Sequence, residues 1–168
     1  LSTLKRTVMQ EVIPTNFLFQ LAEYEGIAIE WRDMHHVQGI YTYTPEAPTP
    51  VIALSTTLHT KERTLRCVLA HELGHHCTTA GHHIIAANST SSIYATKHEH
   101  LATKWAVNLL IPTDIFLDCV RKGMLHHDLC SYFHVLPEYV VHKAELLHKD
   151  TNLTDAIAEL KASYNVVF

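Results

Sequence analysis

The sequence predicts an α+β fold, with a small three-stranded sheet packed on a mainly helical body. Three short apolar runs lie between residues 28 and 54, set apart by turn residues. From Glu62 onward, apolar residues recur at i, i+3, i+4 spacing in stretches of helical length. With 168 residues, the chain can bury a core of its own without disulfides.

The elements follow in order. A first helix is expected over Thr15 to Glu25, with Phe17, Leu18, Leu21 and Ala22 facing inward. Strands are expected near Ala28–Trp31, Gly39–Thr44 and Val51–Leu54. Pro45, Pro48 and Pro50 mark a turn between the last two. The next helix runs from Glu62 to Cys77, its inward stripe made of Leu65, Val68, Leu69 and Leu73. Residues 78–96, rich in Ser, Thr, His and Asn, read as a loop that is either a lid or a plain connection. A helix from Glu99 ends before Pro112, and Thr113 reads as the N-cap of another that runs to about Arg121. Asp128–Phe133, a turn at His134–Leu136 and a helix from Pro137 resemble a helix-turn-helix. A last helix is expected over Thr154–Phe168. The division is therefore a core over 1–124 and a C-terminal helical extension over 125–168 packed on it.

Residues 71–75 read His71-Glu72-Leu73-Gly74-His75, an HExxH pattern. Four residues apart on a helix, the two imidazoles lie on one side and reach a single metal ion, and the Glu between them is placed to take a proton from water. That is the core of a zinc metallopeptidase site. The chain holds 15 histidines, so the bare pattern recurs in about one shuffled chain in twelve, and context has to carry the assignment. The predicted stripe runs beside both histidines, which puts them at the edge of a core. Gly74 costs helix stability and marks either the close approach of another backbone or substrate, or simply tight helix packing.

A catalytic zinc takes three protein ligands and keeps one open position. The metzincin pattern is excluded because Thr78 and Gly81 stand where its Gly and His would be. Glu99 is the better candidate. It shares a helical face with Ala102, Ala106, Leu109 and Leu110, and a carboxylate on a buried apolar face needs a compensating partner. That partner is a zinc ion, or an Arg or Lys, or water at a frayed helix start. His76, His82, His83, His98 and His100 are rival ligands. His76 points about 100° around the helix from His75, and His98 and His100 flank Glu99. Cys67 and Cys77 lie close to the motif but read as small buried residues.

Composition narrows the function. A net charge of −4 disfavours nonspecific nucleic-acid binding. No 18-residue apolar run predicts a transmembrane helix, and Leu1–Ile13 lacks the apolar stretch of a signal peptide. The four cysteines show no CxxC spacing and read as reduced thiols, which predicts a cytoplasmic protein. The helix after His134–Leu136 offers Glu138, His142, Lys143 and Glu145, where a DNA reader wants basic residues. It is therefore expected to be a packing unit or a docking surface.

HELGHH at 71–76, followed by Glu99-x-x-Ala102-x-x-Trp105-Ala106-x-x-Leu109-Leu110-x-Pro112, resembles the ImmA/IrrE metallopeptidases. Gly26–Ile29, Gly39–Tyr41 and Val51–Ser55 resemble the family's small sheet, and the likeness covers about residues 15–148. Trp105 stands where the family commonly has Phe. The resemblance implies a zincin-like domain with one zinc on His71, His75 and Glu99, and Glu72 as general base. It also implies a helix-turn-helix repressor as the substrate that is cleaved or otherwise inactivated, which derepresses phage, mobile-element or stress genes. Neither direct nucleic-acid contact nor a membrane is expected. Tyr94, His98 and His100 are candidates for an oxyanion donor. The alternative is a non-catalytic, zinc-containing interaction protein that sequesters the repressor. An intact Glu72 favours the peptidase.

Overall fold

The structure, a computed structural model, describes residues 12–78 and 92–148, with side chains from 96 onward in the second stretch. These residues form an α+β fold of six helices and one three-stranded sheet. The expected helix over Thr154–Phe168, the reading of the N-terminus up to Glu11, and His82 and His83 lie outside the described residues.

The first helix, α1 (Thr15–Tyr24), buries Leu18 and Ala22 completely. Phe17, expected inward, is exposed, and Phe19 packs against the core instead. The helix ends in a Schellman motif. Gly26 takes φ 70°, its N–H donates to the Glu23 carbonyl, and the Ile27 N–H reaches back to the Ala22 carbonyl. This tight exit buries Ile27 and feeds the chain directly into β1 (Ala28–Arg32).

The sheet order is β1-β3-β2, with β2 (Gly39–Thr44) antiparallel and β1 parallel to the central β3 (Ala47–Ser55). Pro48 and Pro50 fall inside β3 and not in a turn, so the expected Val51 start is four residues late. The position is tolerable because β1 pairs with β3 only from Val51 onward. The prolines therefore occupy a stretch with a neighbour on one side only, where a register shift also interrupts the pairing. Ser55, fully buried at the strand end, accepts a hydrogen bond from the Thr57 N–H and starts a 3₁₀ turn over Thr56–Thr60 that the sequence did not announce.

Next comes α2 (Glu62–Thr78), buried nearly all round from Arg66 to His75. Leu69 and Leu73 are fully buried, whereas Leu65 and Val68 lie at the margin. α3 (Ser92–Leu110) starts well before Glu99, so the expected loop over 78–96 is too long at its far end. Glu99 consequently stands inside a helix and not at a frayed start. Pro112, not Thr113, takes the N-cap position of α4 (Thr113–Arg121). α5 (His126–Tyr132) and α6 (Pro137–His148) follow, joined through His134 at φ 53°. One core cluster runs from Leu18 through Leu73 and Leu110 to Phe133 and Val140. Among the described residues, no helix is long and apolar enough to cross a membrane.

The Thr113 side chain has another use. Lys143 of α6 is fully buried, and its ammonium donates to Asn108 Oδ1 and Thr113 Oγ1, each at 2.8 Å. Both acceptors are neutral, so burial dominates and lowers the Lys143 pKa to about 8, with Asp114 opposing the shift. The unfolded amine holds its proton to about pH 10.5, so the unfolded state binds more protons across that window and stability rises with pH through it. Replacing Lys143 with Met should remove this dependence. Parent stability measured against the variant by urea unfolding should increase by about 3 kcal/mol between pH 7.5 and pH 10.5. A flat difference would mean that Lys143 is not held as a buried cation.

Candidate metal centre

Three side chains from two helices converge. His71 and His75, one turn apart on α2, bring their Nε2 atoms to 3.1 Å of each other. Glu99 on α3 places Oε2 3.1 Å from His71 Nε2 and Oε1 3.3 Å from His75 Nε2. Among the described residues these three form the one group of His, Cys, Asp or Glu side chains whose ligand atoms all lie within 4.8 Å of one another. A tetrahedral zinc about 2.0–2.1 Å from each donor sets its ligand atoms about 3.3 Å apart. The observed separations suit that geometry, and two imidazoles with one carboxylate are a donor set that zinc accepts. Neither His98 nor His100 belongs to this group, nor do Cys67 and Cys77. His76 turns away to hydrogen-bond the Tyr41 hydroxyl through Nδ1 at 3.0 Å.

The convergence depends on a glycine. A Cβ at Gly74 would come within 2.5 Å of the Ala102 carbonyl oxygen, so α2 and α3 cross backbone to backbone. The two readings of Gly74 describe one contact, because the backbone that approaches is that of α3 and the approach is tight helix packing. Glu99 and Thr103 lie one turn apart on α3, on either side of that crossing, and both turn to His71. Thr103 Oγ1 stands 3.4 Å from His71 Nδ1. The expectation that Glu99 is buried is not met, since its side chain is 52% exposed. Its helical face is buried only from Ala102 onward. Glu99 opens instead into a cleft, and its imidazole neighbours take the place of an apolar wall.

Glu72 faces the other way around α2, toward β2. It is 7% exposed, and the Tyr41 backbone N–H on the free edge of β2 donates to its carboxylate. A Cβ at Gly39 would lie 2.8 Å from Glu72 Oε1 and 2.5 Å from Val68 Cγ1. Only a glycine lets the edge strand approach this closely. Burial raises the Glu72 pKa to about 7, against the Tyr41 hydrogen bond and with help from Glu99. His75 shifts the opposite way. Burial, with the neighbouring His71, lowers its pKa to about 4, against the pull of Glu99. It is therefore neutral at pH 7, as a metal ligand must be.

The start of α6 braces α2 one turn before His71. The Tyr139 hydroxyl donates to the Cys67 carbonyl at 2.7 Å, and the Leu136 N–H donates to Cys67 Sγ at 3.3 Å. Burial pushes the Cys67 thiol up to about 12, so it is an inert acceptor. A cleft of about 540 Å³ lies between β2 and this brace. Its floor is His71, Glu72, His75 and Glu99, and its walls include Val37 and Ile40 on one side and Leu136 and Glu138 on the other. The Tyr94 side chain lies outside the described residues. Sequence reasoning gave no role to Gly39, Tyr41, Thr103 or Tyr139. Two signals were present, a glycine at the start of a strand and a threonine four residues after Glu99 on the same helix.

The family model for M78 peptidases, described as the IrrE N-terminal-like domain, matches residues 22–145. The match spans the sheet, both helices of the metal group and most of α6. No curated protein matches the chain significantly.

The crossing at Gly74 makes a direct test. Gly74→Ala should force α2 and α3 apart, destabilise the fold by about 1–3 kcal/mol and weaken zinc binding at least tenfold. Urea unfolding and chelator competition measure the two effects. Undiminished zinc affinity would show that the centre tolerates a wider crossing.

Proposed function

The chain belongs to the M78 peptidase family, and from that premise we propose that it is a zinc-dependent metallopeptidase that cleaves a helix-turn-helix repressor. The observation that carries the reading is the joint placement of a three-donor metal group and the buried Glu72 carboxyl group in one cleft. In this reading His71, His75 and Glu99 hold one zinc. Zinc bound there would supply Lewis acidity, acidifying water and polarising a carbonyl, and its charge would draw the Glu72 pKa below 7.

The remaining work belongs to the protein. Glu72 Oε accepts the proton of the attacking water and returns it to the leaving amine. The Tyr41 N–H steadies that carboxylate, and the brace from α6 keeps α2 in register beneath the substrate. Within the cleft Glu72 and His75 are shielded from bulk water, while Glu99 stays partly open to it. An extended peptide would lie in the cleft along β2, whose outer edge has no strand partner among the described residues. His98 and His100 flank Glu99 on α3 and are the described candidates for an oxyanion donor.

A repressor substrate is supported by the family resemblance and by charge. At net −4 the chain complements the basic surface of a DNA-binding partner. We read the zincin-like body as the catalytic unit and α5–α6 as a helix-turn-helix-like extension that walls the cleft and docks the partner. Such a substrate places the action in the cytoplasm, where the four free cysteines stay reduced.

The purified protein should carry about one zinc per chain, Glu99→Ala should lose it, and Glu72→Gln should keep it. Co-expressed with a candidate repressor, the parent should yield repressor fragments and Glu72→Gln none, a loss of at least 10³-fold in rate. Undiminished cleavage by Glu72→Gln would remove Glu72 from the mechanism. Relief of repression by Glu72→Gln with the repressor intact would establish sequestration in place of cleavage.

A further inference from the structure

His71 is a ligand only in one tautomer. To present a lone pair at Nε2, the neutral ring must carry its proton on Nδ1. An N–H that points into protein needs an acceptor, and among the described residues the polar side-chain atom within hydrogen-bond reach of His71 Nδ1 is Thr103 Oγ1, at 3.4 Å. The separation is at the long end of the range. His71 Nε2 meanwhile faces His75 and Glu99. The two sides of one ring thus meet two groups of α3, Glu99 at the ligand side and Thr103 at the back, one helical turn apart.

We propose that Thr103 is a positioning residue of the metal centre. Its hydroxyl accepts the His71 Nδ1–H and fixes both the tautomer and the tilt of the ring. The proposal rests on the zinc reading above. α3 then sets the centre twice, through a donor and through the orientation of a donor on the other helix. The Gly74–Ala102 approach serves both, because Ala102 precedes Thr103 and any widening of the crossing withdraws the hydroxyl together with the carboxylate. The role needs a hydroxyl, not a shape. Valine reproduces the branching and volume of threonine but offers no acceptor, while serine keeps the acceptor and loses the methyl.

The test compares the parent, Thr103→Val and Thr103→Ser. Zinc dissociation constants come from chelator competition. The His71 tautomer comes from nitrogen-15 NMR of the imidazoles in the metal-free proteins at pH 8. Thr103→Val should bind zinc about tenfold to hundredfold more weakly, with His71 spread over both tautomers and thermal stability of the metal-free protein unchanged. Thr103→Ser should restore the parent tautomer and bring affinity back to within about threefold of the parent. Parent-like affinity in the valine variant would overturn the role of Thr103 alone. So would a weaker variant whose His71 tautomer is unchanged, or a serine variant that fails to rescue. A parent that binds no zinc would overturn the zinc reading and this proposal with it.

Discussion

At the crossing of α2 and α3 there is no room for a side chain between Gly74 and the carbonyl of Ala102. Everything in the centre follows from that contact. It sets the distance at which a carboxylate on one helix meets two imidazoles on the other. It also turns the next residue of α3 toward the back of His71. Helices separated by ordinary side chains lie about 8–10 Å apart, and a glutamate of fixed length would fall short of both rings. The helix propensity lost at Gly74, about 1 kcal/mol relative to alanine, is the cost of that proximity. On the far side of α2, Gly39 does the same for β2 and Glu72. Two glycines thus hold α2 close to a helix and to a strand edge, with the chemistry in between.

The environment then divides the ionisable groups. Glu72 and His75 are both buried, and burial penalises the charged form of each. The carboxyl is pushed up and the imidazole down, which keeps His75 available to a cation and leaves Glu72 able to gain or lose a proton near neutrality. Glu99 is treated differently. It reaches solvent, and its approach to the imidazoles comes from helix geometry and not from the lack of any other partner. A centre assembled this way is open on the side of Glu99 and closed on the side where α2 is braced by Tyr139 and Leu136.

Much of this was legible in the sequence, for reasons that separate local from long-range information. Periodicity located α2, β2 and the start of α1 because hydrophobic spacing is a local property. The HExxH spacing and Glu99 pointed to the three donors because helical geometry carries residue number into direction. Other features were hidden because they depend on partners distant in sequence. Pro48 and Pro50 read as a turn, yet they lie in a strand that lacks its second neighbour at that point. Thr113 read as a cap, yet its hydroxyl serves Lys143 thirty residues away. Glu99 was singled out on the ground of burial, which fails, and it lies beside the two imidazoles because its helical spacing from Ala102 carries it to the crossing with α2. Thr103 and Tyr41 matter only through contacts across elements, which no window of sequence contains.

The two ligand helices are tied across a long stretch of chain, since His71 and Glu99 are 28 residues apart. An ion held by both closes that stretch into a ring. In chain-entropy terms a cross-link over a loop of that length is worth about 3–4 kcal/mol, much as a disulfide would be. The protein has no disulfide among its four cysteines, so a bound ion would act as a reversible staple between the two helices. Metal supply would then govern how long the molecule survives proteolysis as well as whether it can act, linking lifetime to activity through a single occupancy.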